Sequence, residues 1–154
     1  GLDLNRLRLS NIEENSLVGV NNFYEANQYI NFDNNQIRIL KKNQFKGLEK
    51  VYELSLSQNL ISIIEENVFT NISYIKILKL DSNFITYIKK EFFYNLNSLY
   101  KLDLSNNLIK RLEENAFFYL ENLQILRLMN NQIKFIRPNA FSNLKNLNQL
   151  DLSY

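Results

Sequence analysis

Apolar residues recur along this chain with a period of 24 residues. Within each period they fall at positions 1, 4, 6, 11, 14, 19 and 22, and position 9 is asparagine. Position 4 reads Ile30, Leu54, Leu78, Leu102, Leu126 and Leu150, and position 6 reads Phe32, Leu56, Leu80, Leu104, Leu128 and Leu152. Position 9 reads Asn35, Asn59, Asn83, Asn107 and Asn131, and position 19 reads Phe45, Phe69, Phe93, Phe117 and Phe141. Self-similarity this regular marks a repeat architecture.

The spacing has a direct physical meaning. Apolar residues at positions 4 and 6, with a different residue between, are the period-two pattern of a short strand with one buried face. Such a strand leaves two flat apolar faces on each repeat, and stacking the repeats buries them. The strands then align as a parallel sheet with neighbours about 4.8 Å apart. The rest of each period returns by a looser route, with the position-19 Phe stacked from repeat to repeat on the returning side. The predicted architecture is a right-handed solenoid with a parallel sheet on its concave side. The Asn column sits where the chain turns away from the strand. An amide there can donate and accept at once, closing bonds to backbone groups that burial would otherwise leave unpaired. A ligand-binding role for this column is disfavoured, because core positions flank it.

The ends deviate from the lattice. Leu4, Leu7 and Leu9 mimic positions 1, 4 and 6, which puts Ile12 at position 9 and makes the step to the next repeat 23 residues. The pattern then lapses from Val18 to Ala26, with Phe23 as the substitute for the position-19 Phe. The expected organisation is a single repeat domain over 1–154: an atypical first repeat over 1–26, about six repeats in all, and the start of a seventh. No polar cap is recognisable at either end, so the chain reads as a fragment of a longer array.

Composition removes most chemistry. Cysteine and histidine are absent, which rules out disulfides, thiol nucleophiles, Ser-His-Asp catalysis and nearly all zinc sites. The three glycines form no phosphate-cradling spacing, and no carboxylate pair stands apart from the charge alternation, so no enzyme and no cofactor are expected. A net charge of +2 with interspersed signs argues against nucleic acid as a partner. No apolar run is long enough to insert this segment in a bilayer. Asparagine makes up roughly a sixth of the chain, well above ordinary usage. At fixed offsets inside an apolar lattice, that excess reads as structural.

The pattern L-x-x-L-x-L-x-x-N-x-I-x-x-[IL]-x-x-x-x-F-x-x-L closely resembles the leucine-rich repeat. The 24-residue period with N-A-F at 115–117 and 139–141 is similar to the "typical" subtype of extracellular animal proteins, such as Toll-like receptors, Slit-type proteins and small leucine-rich proteoglycans. The resemblance implies an α/β-type horseshoe with a concave parallel sheet and an irregular or 3-10 convex side. It also implies a non-catalytic recognition scaffold in an extracellular or cell-surface ectodomain, with a protein ligand or co-receptor as partner. A structural matrix protein of the proteoglycan type is the alternative. One glycosylation sequon, Asn71-Ile72-Ser73, fits that compartment.

In such a solenoid the variable positions of the strand face outward. Position 3 carries Tyr29, Glu53, Ile77, Lys101 and Ile125, position 5 carries Lys79, Asp103 and Arg127, and position 7 adds Asp81 and Met129. These ten residues are the candidate ligand face. Ile77, Ile125 and Met129 form its apolar centre, ringed by charge. From Lys79 onward position 5 alternates in sign, which also fits a ladder of mutually satisfied pairs. The Asp residues are spread over different strands, so no metal site is expected. On the returning side, positions 15 and 16 alternate as Lys41-Lys42, Glu65-Glu66, Lys89-Lys90 and Glu113-Glu114. This alternation is expected to fix stacking register, with Glu113 and Glu114 set against Lys89 and Lys90. Phe92, Tyr94, Phe118 and Tyr119 are aromatics outside the lattice, suited either to covering the convex side or to a lateral contact.

Overall fold

The computed structural model describes residues 1–20 and 28–154. Its first strand, β1 (Leu2–Asp3), is followed by β2 (Gln28–Asn31), β3 (Ile39–Leu40), β4 (Val51–Ser55) and β5 (Ile63–Ile64). Then come β6 (Ile77–Lys79), β7 (Tyr87–Ile88), β8 (Lys101–Asp103), β9 (Arg111–Leu112), β10 (Ile125–Arg127), β11 (Phe135–Ile136) and β12 (Gln149–Asp151). Among the described residues, β1, β2, β4, β6, β8, β10 and β12 pair in that order as one parallel sheet. The short strands of the returning side pair as β3-β5 and as β7-β9-β11. The chain is therefore the parallel-strand solenoid that its period predicts, with little helix.

From Tyr29 onward strand pairing holds one 24-residue register, after an irregularity at the start of β2 where Gln28 stands opposite Val51. Leu54 stands opposite Leu78, Leu78 opposite Leu102, and Leu102 opposite Leu126. Positions 4, 6, 11, 14, 19 and 22 of the central turns make one continuous apolar core, in which Leu102, Leu104, Ile109, Leu112, Phe117 and Leu120 are wholly buried. The position-19 rings stack nearly parallel: Phe45 on Phe69 with centroids 5.6 Å apart, Phe93 on Phe117 at 5.9 Å, and Phe117 on Phe141 at 5.8 Å.

The Asn column is hydrogen-bonded between turns. Asn107 Nδ2 donates to the Leu80 carbonyl of the preceding turn at 3.0 Å and to its own turn's Leu104 carbonyl at 3.1 Å. Its Oδ1 accepts the Ile85 N–H at 3.0 Å. Asn59, Asn83 and Asn131 repeat this arrangement one turn apart, with Oδ1 accepting from Ile37, Ile61 and Ile109. Asparagine suits the site because one short side chain offers both a donor and an acceptor to backbone groups that water cannot reach.

Backbone torsions give the asparagine excess a second cause. Position 8 lies in the left-handed region in every central turn, at Asn34, Gln58, Ser82, Asn106 and Asn130. So does position 17, at Asn43, Asn67, Asn115 and Asn139. Asn tolerates positive φ better than other residues with a Cβ. Where position 17 is Glu91, the chain instead forms a 3-10 segment, Lys90–Phe93. At position 21 the backbone φ of Gly47 is +99°, and a Cβ there would run into the Leu17 carbonyl of the preceding turn.

The first turn departs from the register expected for it. Leu2 stands opposite Ile30 and Asp3 opposite Asn31, and the Leu4 N–H donates to the Asn31 carbonyl at 2.8 Å. Leu2 and Leu4, not Leu7 and Leu9, therefore occupy positions 4 and 6. Leu7 takes the place of the column Asn. Leu9 takes position 11, its N–H donating to Asn35 Oδ1 at 2.9 Å. Ile12 and Leu17 follow at positions 14 and 19, each 5% exposed. The alternation of leucines fits positions 4 and 6 in either register, but the expected one puts Glu14 at position 11 and Asn22 at position 19, whereas this one fills positions 11, 14 and 19 with Leu9, Ile12 and Leu17. Arg6 and Arg8, which the expected register puts at the outward positions 3 and 5, consequently do not join those positions of the sheet. Phe23 lies outside the described residues, and Leu17 holds the position expected of it.

Candidate binding face on the inner sheet

Because the pairing is parallel and in register, each variable position becomes a straight row across the sheet. Row 3 runs Tyr29, Glu53, Ile77, Lys101, Ile125, Gln149 and row 5 runs Asn31, Ser55, Lys79, Asp103, Arg127, Asp151. Ile77 and Ile125 thus lie two strands apart with Lys101 between them, all three half-buried, and Met129 is half-buried on row 7. Tyr29 is exposed at one side of the row.

The charges divide differently from a simple ladder along row 5. Arg127 pairs with Asp103 at 3.5 Å, but Lys79 reaches diagonally to Glu53 at 2.5 Å. Lys79 does not close the ladder to Asp103, whose Oδ1 also accepts the Ser105 N–H at 3.1 Å. The short Asp side chain is held to its own turn, while the longer Glu53 can meet the ammonium. Both pairs are partly exposed and contribute little to stability. Lys101 has no carboxylate partner among the described residues.

Row 7 is more tightly built than its sequence suggests. Asp33 Oδ1 accepts from the Ser55 hydroxyl at 2.6 Å and the Ser57 N–H at 2.8 Å, and Asp81 Oδ1 accepts from the Ser57 hydroxyl at 2.5 Å. Ser55 and Ser57 are buried by these contacts. Asp33 and Asp81 therefore brace neighbouring turns, and Asp81 stands at the margin of the face. At the last strand, Asp151 Oδ1 accepts from the hydroxyl and the N–H of Ser153 at 2.6 and 3.0 Å. These bonds, the hydroxyl foremost, hold its carboxyl below the ordinary 3.8, with Arg127 a minor contributor. Ser153→Ala should raise the Asp151 pKa toward 3.8 in an NMR titration of its carboxyl carbon. An unchanged midpoint would assign the effect elsewhere.

The returning side carries the other expected features. Lys89 meets Glu66 at 2.6 Å, and this hydrogen bond raises its pKa above 10.5 despite some desolvation. Glu65 Oε2 accepts the Lys42 N–H at 2.8 Å. Glu113, however, pairs with Arg111 of its own turn at 2.5 Å and not with Lys89 or Lys90. Arg111 lies two residues away in the same turn, so it reaches Glu113 before the lysines of the preceding turn can. Phe92 is buried against Tyr87, whereas Tyr94 and Phe118 are exposed and meet Tyr119 edge-to-face at 5.0 and 5.6 Å. Asn71 and Ser73 are half-buried in a turn of this side, flanking the buried Ile72.

A stack of one-strand turns that presents rows of variable side chains on a rigid sheet is the architecture of a recognition scaffold. The chain belongs to the leucine rich repeat family, whose profile matches residues 73–133 and 112–154. Its fold is similar to that of Toll in the Toll–Spatzle complex of Drosophila, at a TM-score of 0.75 and 22% identity over 82% of this chain and 18% of that one. It is also similar to TLR13 in the TLR13–ssRNA13 complex, at a TM-score of 0.60 and 26% identity over 82% of this chain and 21% of that one. The chain thus spans about a fifth of the length of these solved chains. A comparison with curated proteins finds no match. Among the described residues, no helix is long and apolar enough to cross a membrane.

Proposed function

We propose that this chain is part of the extracellular ectodomain of a receptor or adhesion protein, and that it binds a protein through the inner sheet without chemistry of its own. The observation that carries this reading is the placement of Ile77, Ile125 and Met129. Three half-buried apolar side chains stand on a face whose other members are polar, next to Lys101, which has no carboxylate partner among the described residues, and beside the closed pairs Lys79–Glu53 and Arg127–Asp103. An apolar centre with a charged rim is the usual anatomy of a protein interface. The fold likeness to Toll in complex with Spatzle supports a protein partner, and a glycan on Asn71 of the returning side would leave the sheet uncovered.

The likeness to TLR13 in complex with ssRNA13 favours RNA as the second reading. The inner face argues against it, since two of its three cations are already paired to carboxylates, and a phosphate backbone draws on several free ones. Affinity capture from cell-surface extracts should recover a protein on the wild type and lose it on the Ile77→Asp, Ile125→Asp double variant. Equal capture by both chains would move the interface off this patch. Retention of single-stranded RNA alone, weakened by salt, would establish the second reading instead.

A further inference from the structure

Row 2, at the entry to the strands, holds a second constellation. The Lys76 N–H donates to the Tyr52 carbonyl at 2.8 Å, the Tyr100 N–H to the Lys76 carbonyl at 2.8 Å, and the Gln124 N–H to the Tyr100 carbonyl at 2.9 Å. These four residues therefore follow one another at strand spacing. With Ser98 and Asn122 they line an open groove of about 370 Å³ on the flank of the solenoid. Tyr52 and Tyr100 are 38% and 40% exposed, although both carry large apolar rings. Lys76 is half-buried between them, and no carboxylate among the described residues pairs with it. Asn122 and Gln124 also tie neighbouring turns together, Asn122 Nδ2 donating to the Asn97 carbonyl at 2.8 Å and Gln124 Oε1 accepting from Asn148 Nδ2 at 3.2 Å, whereas no ion pair among the described residues uses the Lys76 ammonium between the two open rings.

We propose that this groove is a subsite for an extended peptide segment of a protein partner, one that presents a single carboxylate between two apolar side chains. The chemistry of the lining selects this occupant. Tyr, Ser and Asn together are the composition of protein-binding paratopes, where rigid rings supply contact area and short polar groups supply adaptable hydrogen bonds. Lys76 is the sole cation lining the groove, so it answers one negative charge. A nucleic acid or a sulfated glycan brings a regular series of anions that this groove does not match. The dimensions agree as well. Tyr52 and Tyr100 stand two strands apart, about 10 Å, and a peptide in the polyproline II conformation advances about 3.1 Å per residue with three residues per turn. Residues i and i+3 of such a chain share one face about 9 Å apart, so they supply the apolar side chains that rest on the two rings, with the acidic residue between them.

The inference rests on reading the chain as a protein-recognition scaffold, but not on the Ile77–Ile125 patch. Its test is a titration of the nitrogen-15-labelled chain, followed by amide shifts. The probes are two short peptides carrying Leu-Asp-Ser-Leu or Leu-Asn-Ser-Leu between Gly-Ser flanks, a heparin tetrasaccharide and an oligouridylate. The Asp peptide should shift the amides of Lys76, Tyr100 and Gln124 and bind at least tenfold more tightly than the Asn peptide. Lys76→Gln should erase that tenfold difference. Tyr52→Ala with Tyr100→Ala should weaken both peptides tenfold or more, and the remote Lys134→Gln should change nothing. Equal binding of the two peptides, binding of neither, or shifts confined to the heparin or oligouridylate arms would overturn the proposal. A partner captured equally by wild type and Lys76→Gln, yet lost with Ile77→Asp, Ile125→Asp, would overturn the groove alone and leave the inner-face reading standing.

Discussion

Phe117→Ala should destabilise the chain by about 3–5 kcal/mol, the range for emptying a fully buried aromatic site. Phe117 is 0% exposed and is sandwiched between Phe93 and Phe141, with interplanar angles of 14° and 11°. Removing it opens a cavity and breaks two stacked contacts at once, and the turns on either side are too regular to collapse into the gap. Phe141 has one described ring partner and is half-buried, so Phe141→Ala should cost clearly less. Urea denaturation followed by circular dichroism measures both. A loss below about 1 kcal/mol for Phe117→Ala, or the reverse order of the two variants, would show that the Phe row does not support the returning side.

Asn107→Ala comes next, at about 1–3 kcal/mol, and its cost is traceable to one atom. The three carbonyls that Asn107 serves each keep another donor. Leu80 retains Asn83 Nδ2, Leu104 retains Asn131 Nδ2, and Ser105 retains the Ser82 N–H. The Ile85 N–H has Asn107 Oδ1 as its acceptor in a buried hydrogen bond, so the variant strands it. Hydrogen exchange should therefore accelerate at Ile85 while Ile61 and Ile109, served by Asn83 and Asn131, keep their protection. Unchanged protection at Ile85 would sink this account, whatever the melt shows.

Much of this was legible in the sequence, and for a physical reason. A 24-residue period leaves one strand register for the central turns, so the sheet, the Asn column and the Phe row follow from spacing. The first turn was misread because Leu2, Leu4, Leu7 and Leu9 alternate closely enough to satisfy two registers. The later positions separate them, since only the observed register puts apolar residues at positions 11 and 19, and the pairing of Leu2 with Ile30 settles it. Charge partners were hidden for another reason: an ion pair depends on side-chain reach and on competing donors. Asp103 is held by the Ser105 N–H, which leaves Lys79 to Glu53, and Arg111 reaches Glu113 within its own turn. The Tyr52–Lys76–Tyr100 row carried a visible signal, two tyrosines at one lattice offset flanking a lysine. That offset lies beside the rows that face the concavity, where a binding face is first sought.

The asparagine column also gives the molecule a polarity. Every column amide reaches toward the preceding turn, donating to its position-6 carbonyl and accepting from its position-11 N–H, as Asn83 does with Leu56 and Ile61. Of the column's own bonds, loss of a turn from the leading side frees only a side chain, which can rotate and hydrate, although main-chain donors such as the Phe84 N–H, bonded to the Ile61 carbonyl, lose their acceptors with it. Loss of a turn from the trailing side removes an acceptor from a main-chain N–H that cannot turn away. A stack of near-identical units is thus unequal at its two ends. Growth of the fold in the direction of synthesis therefore caps each position-11 N–H only when the amide of the following turn arrives.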